Sequence, residues 1–206
     1  MQFTTKCLAS YLKAPTKNYW KGTAEYGVCM ISTNPGVTLF GKLNGVCEND
    51  DNKCLIEAFT DAGWQGGGNA KSTSSGCHFV NGLLVHTGSR TQHVISLSST
   101  ESEFYATTSG AIDTIYLKRI SEFLTDKPSI ANVLTDNSAS RQVACKLGTS
   151  RLRHINGRLF WIQSKVRDNV LRMVQVGTLW NPADIGAKNL ARDRHVMLLF
   201  DVGNDR

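Results

Sequence analysis

The chain has 206 residues, 41 % of them hydrophobic, and carries a formal net charge of +6. That length accommodates one domain of ordinary size plus an extra segment, with enough apolar residues for a real core. No apolar run approaches the roughly 20 residues that span a bilayer, and the N-terminal apolar stretch, short and interrupted by lysine, is unlike a secretory signal. The reading is therefore an intracellular protein, cytoplasmic or nuclear, with no membrane partner, whose basic balance suits a polyanion. Its six cysteines form no C-x-x-C pair and no zinc-spaced cluster with histidine, so free thiols are expected.

Residues 1–14 show a helical pattern, with Cys7, Leu8, Tyr11 and Leu12 recurring on one side until Pro15 stops it. Residues 24–48 read as short extended pieces. The polar run Glu-Asn-Asp-Asp-Asn-Lys at 48–53 marks the main boundary. Residues 54–61 read as a strand ending at Asp61, and 63–76, rich in glycine and serine, as a loop. Residues 77–87 read as a hairpin about Asn81-Gly82. A long helix is expected from Thr100 to about Leu124, with Phe104, Ala111, Ile115, Ile120 and Phe123 among its apolar positions. Residues 130–136 form a buried strand that again ends in an acid, Asp136. Helices are expected over 138–148 and 151–167, a strand over 170–176, and one N-capped helix over 181–200, with Pro182 near its start. The plan is mixed α/β.

Four acids occupy telling places. Asp61 and Asp136 end strands, while Glu103 and Asp184 lie in the first turns of helices. Taken singly, each has an ordinary explanation. Thr100 with Glu103, or Ser98 with Glu101, fits a capping box. Asp184 suits a helix N-terminus, and the other two suit turns. Taken together, strand ends and helix starts are where distant side chains converge. Four carboxylates meeting with no basic residue between them would need cations, and hard oxygen ligands favour Mg²⁺ or Mn²⁺. Two such ions can activate a water and stabilise a leaving oxygen.

Several stretches carry a resemblance. "TDAGW" with "KSTSSG" (60–64, 71–76), "SLSSTESEFYA" (96–106), "LTDNSAS" (134–140), "RHINGRLFWIQSKV" (154–166) and "NPADIGAK" (181–188) stand in order. Together they resemble the ribonuclease H domain of copia-type LTR retrotransposon Pol polyproteins. Residues 1–50 more weakly resemble the end of the preceding reverse transcriptase region. The resemblance implies a ribonuclease H-like domain over 54–203, with a five-stranded mixed sheet, three antiparallel strands followed by parallel additions, and flanking helices. It implies an endonuclease that hydrolyses the RNA strand of an RNA–DNA hybrid with two Mg²⁺ or Mn²⁺ ions. Asp61, Glu103, Asp136 and Asp184 would be the catalytic, metal-holding acids, and a reverse transcriptase region of the same polyprotein a possible neighbour. The chain departs from the family at Gly63, where Asp-Ala-Asp-Trp is common.

Contacts to a hybrid are expected from two places. One is the stretch after Asp61, with Lys71, Ser72, Thr73 and Ser74. The other is the basic run 151–172, with Arg151, Arg153, His154, Arg158 and Lys165. Ordinary polar loop and solvated helix face are the competing explanations. A catalytically silent nucleic-acid-binding remnant of a retroelement is the alternative function. A transposase or integrase is disfavoured, because the glutamate falls between the first and second aspartates.

Overall fold

The run from Cys54 to Ala62 is buried at every position, as a strand covered on both faces must be. It opens β1 (Cys54–Gly67) of the computed structural model, which describes residues 52–67, 70–146 and 156–203. The first expected unit, residues 1–50, lies outside the described residues. β2 (Lys71–Val80) and β3 (Leu83–Thr91) follow, joined through Asn81-Gly82. Both turn residues have positive φ, 49° and 79°, the backbone that a tight hairpin between twisted strands requires. Asn81 Oδ1 also accepts a hydrogen bond from Leu55 N at 2.8 Å, fastening the turn to β1.

Next come α1 (Ser99–Thr125), β4 (Ser129–Thr135), α2 (Ser138–Cys145), α3 (Asn156–Arg167) and β5 (Arg172–Gln175). A 3₁₀ turn (Thr178–Trp180) leads to the short α4 (Asp184–Ala187) and to α5 (Arg192–Gly203). The sheet order is β3-β2-β1-β4-β5. β1 pairs antiparallel with β2, and β2 with β3, while β4 joins β1 and β5 joins β4 in parallel. This is the expected ribonuclease H-like fold. One core, with Phe104, Ala111, Val133, Ile162 and Leu171, lies beneath α1, α2 and α3. The other gathers Phe59, Phe79, Leu134, Val176 and Ala183, with Phe59 and Phe79 edge to face at 5.6 Å. Val133 and Leu134 fall in different cores because successive strand residues point to opposite faces.

The structure departs from expectation in three places. Residues 63–76 are mostly strand, since β1 runs on to Gly67 and β2 begins at Lys71. Their small polar side chains are bonded internally: Ser72 Oγ accepts from Gln65 N at 3.3 Å and Ser74 Oγ from Gln92 Nε2 at 2.9 Å. The expected helix 181–200 is divided into α4 and α5. Lys188 is extended (φ −130°, ψ 154°), while Asn181 accepts from Ala183 N at 3.2 Å through Oδ1 and donates its amide to Thr60 O at 3.0 Å. Ile120 and Phe123, apolar positions of α1, face outward.

Close approach depends on glycine. A Cβ at Gly110 of α1 would overlap Thr60 Cγ2, and one at Gly63 would overlap the Ala187 carbonyl oxygen. The second contact accounts for Gly63, the departure from the family pattern: the backbone of α4 occupies the space a side chain would need. Gly110→Ala is expected to destabilise the protein by about 1–3 kcal/mol, read as a drop of several degrees in Tm by thermal melting.

Candidate metal centre

Parallel pairing of β1 with β4 ends at Thr60 opposite Thr135. The next residue on each strand is an aspartate, so Asp61 and Asp136 emerge side by side at the same end of the sheet, where parallel strands present functional groups. Glu103 comes from the first turns of α1. Ser98 fixes the start of that helix: its Oγ accepts from Glu101 N at 3.1 Å, while Glu101 Oε2 accepts from Leu97 N at 2.8 Å. The capping role therefore belongs to Ser98 with Glu101, which is buried, and Glu103 is left free of it. Gln92 supports this region by donating to Ser102 O at 2.8 Å and accepting from Ser96 Oγ at 2.7 Å.

Asp61, Glu103 and Asp136 each present an oxygen within 4.8 Å of the others. Asp61 is fully buried and Glu103 nearly so. Asp61 Oδ2 and Glu103 Oε2 are buried without a hydrogen-bond partner, a costly state unless a cation or proton is supplied. Burial, then the facing Asp61 and Asp136, pushes the Glu103 carboxyl up to about 9. Burial chiefly, with Asp184 adding and Lys188 opposing, raises Asp61 to about 7. An all-oxygen set of convergent, strained carboxylates fits a hard divalent ion.

Asp184 stands differently. Lys188 Nζ lies between it and Asp61, 2.8 Å from Asp184 Oδ1 and 2.9 Å from Asp61 Oδ1. Arg194 reaches Asp184 Oδ2 at 3.3 Å and is itself held by the carbonyls of Thr178 and Leu179. The expectation of four acids with no base among them is thus corrected: two of the four share an ammonium group. Burial works against the charge of Lys188, but Asp61 and Asp184 outweigh it and hold the group above its ordinary range. The signal available in the sequence was the i,i+4 spacing of Asp184 and Lys188.

The expected nucleic-acid contacts are dispersed. Ser72 and Thr73 are buried in β2, which withdraws their hydroxyls from any ligand. Lys71, Ser74 and Lys165 are half-buried. Arg151, Arg153 and His154 lie outside the described residues, as does the side chain of Arg158 in α3. A groove of about 550 Å³ opens between the end of β3, α1 and α3, lined by Ser74, Arg90, Gln92, His93, Thr108 and Trp161 among others. No helix among the described residues is long and apolar enough to cross a membrane. Cys54, Cys77 and Cys145 are free thiols, as expected.

The chain is 25 % identical over 189 residues to the retrovirus-related Pol polyprotein from transposon TNT 1-94 of Nicotiana tabacum, a match covering 91 % of this chain. The chain resembles a segment of a retrotransposon Pol polyprotein. It spans only 14 % of that polyprotein's length. No family model matches the chain. Solved structures similar to this chain include the N-terminal RNase H domain of rv2228c from Mycobacterium tuberculosis. That match has 13 % identity and a TM-score of 0.47, covering 66 % of this chain and 91 % of that one. LC11-RNase H1 in complex with RNA/DNA hybrid is 19 % identical with a TM-score of 0.44, covering 65 % and 93 %.

Two predictions follow from the charges. Lys188→Met removes the cation that Asp61 and Asp184 share. Stability in EDTA should fall by roughly 2 kcal/mol, less than the loss of a fully buried partner because the lysine side chain is 38 % exposed; melting with and without Mg²⁺ measures it. The pH dependence is also fixed in sign. Asp61 and Glu103 titrate above the ordinary carboxylate range when folded, so between about pH 4 and pH 9 the folded, metal-free protein holds protons that the unfolded chain has released. Stability in EDTA should therefore decline as pH rises through that window, by at least ~3 °C in Tm, and Glu103→Gln should flatten the decline.

Proposed function

We propose that the protein is a metal-dependent endonuclease of the ribonuclease H type, cutting the RNA strand of RNA–DNA hybrids. The observation that carries this reading is the meeting of Asp61, Glu103 and Asp136 within 4.8 Å, with orphaned buried oxygens on the first two. Similarity to a retrovirus-related Pol polyprotein from a transposon agrees with it. Asp61, Glu103 and Asp136 would hold Mg²⁺ or Mn²⁺, in a pair of ions. Asp184 would join them once Lys188 leaves its Oδ1. Bound divalent ions would supply an activated water and charge stabilisation at the leaving oxygen.

The remaining work falls to the chain itself. Asp61 sits rigidly in the central strand. Ser98 and Glu101 hold the helix turn that aims Glu103. Asn181, anchored on Thr60 O, keeps Asp184 at the same end of the sheet. The groove beside Ser74, with Arg90 and His93, offers one strand of a hybrid a partly basic track, with Lys71, Lys165 and the basic run of Arg151, Arg153, His154 and Arg158 adding phosphate contacts. The reverse transcriptase region of the same polyprotein is the natural neighbour.

One observation favours a second reading. Lys188 and Arg194 neutralise part of the acidic site from within, which would let the fold persist as a silent nucleic-acid-binding remnant. Incubating a labelled hybrid with Mg²⁺, Mn²⁺ or EDTA separates the two. The enzyme reading expects metal-dependent loss of the RNA strand alone. It also expects a fall of about 100-fold or more in Asp61→Asn and Glu103→Gln, the equivalent of nearly 3 kcal/mol of barrier. Glu101→Gln, which keeps a capping acceptor, should retain cleavage. A folded wild-type protein that binds hybrid and never cuts it would establish the remnant.

A further inference from the structure

Just past the metal centre the regular ladder of β1 breaks. Gly63 pairs with Thr73 and Gly67 with Lys71, so residues 64–66 stand opposite Ser72 alone. A bulge of this kind bends the strand and re-aims its side chains. Gln65, inside it, has a φ of 47°, a left-handed backbone that costs energy for any residue with a side chain and that clusters at functional sites. Its N–H is fixed by Ser72 Oγ. Trp64, beside it, is left 46 % exposed.

The indole is exposed but not loose. Its Nε1 donates to Ser96 O at 3.3 Å. Ser96 Oγ in turn donates to Gln92, whose amide donates to Ser102 O, next to Glu103. Trp64 is thus linked to the helix turn that carries one of the metal-site acids. With its one polar group already bonded to the protein, what the side chain offers a ligand is the carbon face of the ring. An aromatic side chain held in this way loses little conformational entropy on binding. Ile95 and Leu97, on either side of the Ser96 acceptor, are exposed as well. Trp64 lies three residues past Asp61, at most about 10 Å along the strand. That is the length of roughly three steps of a nucleic-acid strand. A strand that places a phosphate at the acids and follows β1 therefore runs over the indole. Trp64 stands outside the groove beside Ser74, so its contact is additional to that track.

We propose that Trp64 is a substrate-binding residue, whose indole face packs against a sugar or base edge of the RNA strand beside the metal centre. The inference rests on the reading of that end of the sheet as the seat of the hybrid, and adds an apolar contact to the charged ones.

Fluorescence anisotropy of a labelled RNA–DNA hybrid tests it, in a Glu103→Gln background where binding is read without cutting. Trp64→Ala should weaken binding about tenfold, the size of one lost aromatic contact, and Trp64→Phe, which keeps a ring, should recover most of it. Melting of both should match the background protein. With Glu103 restored, Trp64→Ala should raise KM about tenfold and leave kcat nearly unchanged, as loss of uniform binding does. Unchanged affinity in Trp64→Ala would overturn the inference. So would a loss that Trp64→Phe fails to recover and that comes with a lowered Tm, since the indole would then be a packing element. A dimer in light scattering that Trp64→Ala dissociates would give the face to a second copy instead. A wild-type protein that binds hybrid without cutting it would remove the nuclease reading alone, and the Trp64→Ala comparison would still decide this one. No binding of hybrid by any variant overturns both.

Discussion

Everything at the functional end of this molecule answers to one electrostatic problem: several carboxylates are held out of water within a few ångströms of each other. Asp61 has no exposure at all, and a buried charge without a partner costs several kcal/mol. The fold solves the problem provisionally with Lys188, which neutralises the Asp61–Asp184 side, while the Glu103 side is met by protonation. Each solution is reversible. An ammonium on a flexible stem can swing aside, and a proton can leave, so both can give way to divalent ions without rearranging the backbone.

That tolerance is possible because the backbone beneath is tightly fixed. Gly110 lets α1 press against Thr60, Gly63 lets α4 press against β1, and a Cβ at Gly186 would overlap Ser75 Oγ. These three contacts surround Asp61 or its paired residue Ser75. Rigid elements at van der Waals contact hold the acids in place, and the long side chains supply whatever motion is needed. Sites built on strands and helices in this way keep their geometry better than sites built on loops.

Much of this was legible in the sequence. Asp136 could be seen as following a strand, and Asn81-Gly82 announced its hairpin. Asp61 also reads as the end of its strand, but β1 runs on to Gly67 and only its parallel pairing with β4 stops before Asp61. The strand character of 63–76 was hidden, because serine, threonine and glycine read as loop until their hydroxyls find partners such as Gln65 N and Gln92. Lys188 was hidden for a different reason: lysine four residues after aspartate is a common surface pairing, and only the crossing of α4 over β1 makes Asp61 its second partner. The break between α4 and α5 follows from the same placement. Glu101 could not be told from Glu103 by residue type, since both acids fit a capping box; the family resemblance singled out Glu103, and the structure gives the capping contacts to Ser98 and Glu101.

The reach of the Lys188–Asp61 pair has a consequence for how the protein is made. Its partners are 127 residues apart, and Asn181 anchors to Thr60 across 121. Contacts of that separation are paid for in loop entropy before they return any stabilisation. In chain order the β1–β3 meander and α1 come first, while the lysine that tempers Asp61 follows only after β5. Until then the carboxylate has no reason to leave water, and the end of β1 gains nothing by closing over it. Burial of Asp61 is thereby coupled to the placement of α4, so the acidic end of the sheet becomes the last part of the domain to consolidate.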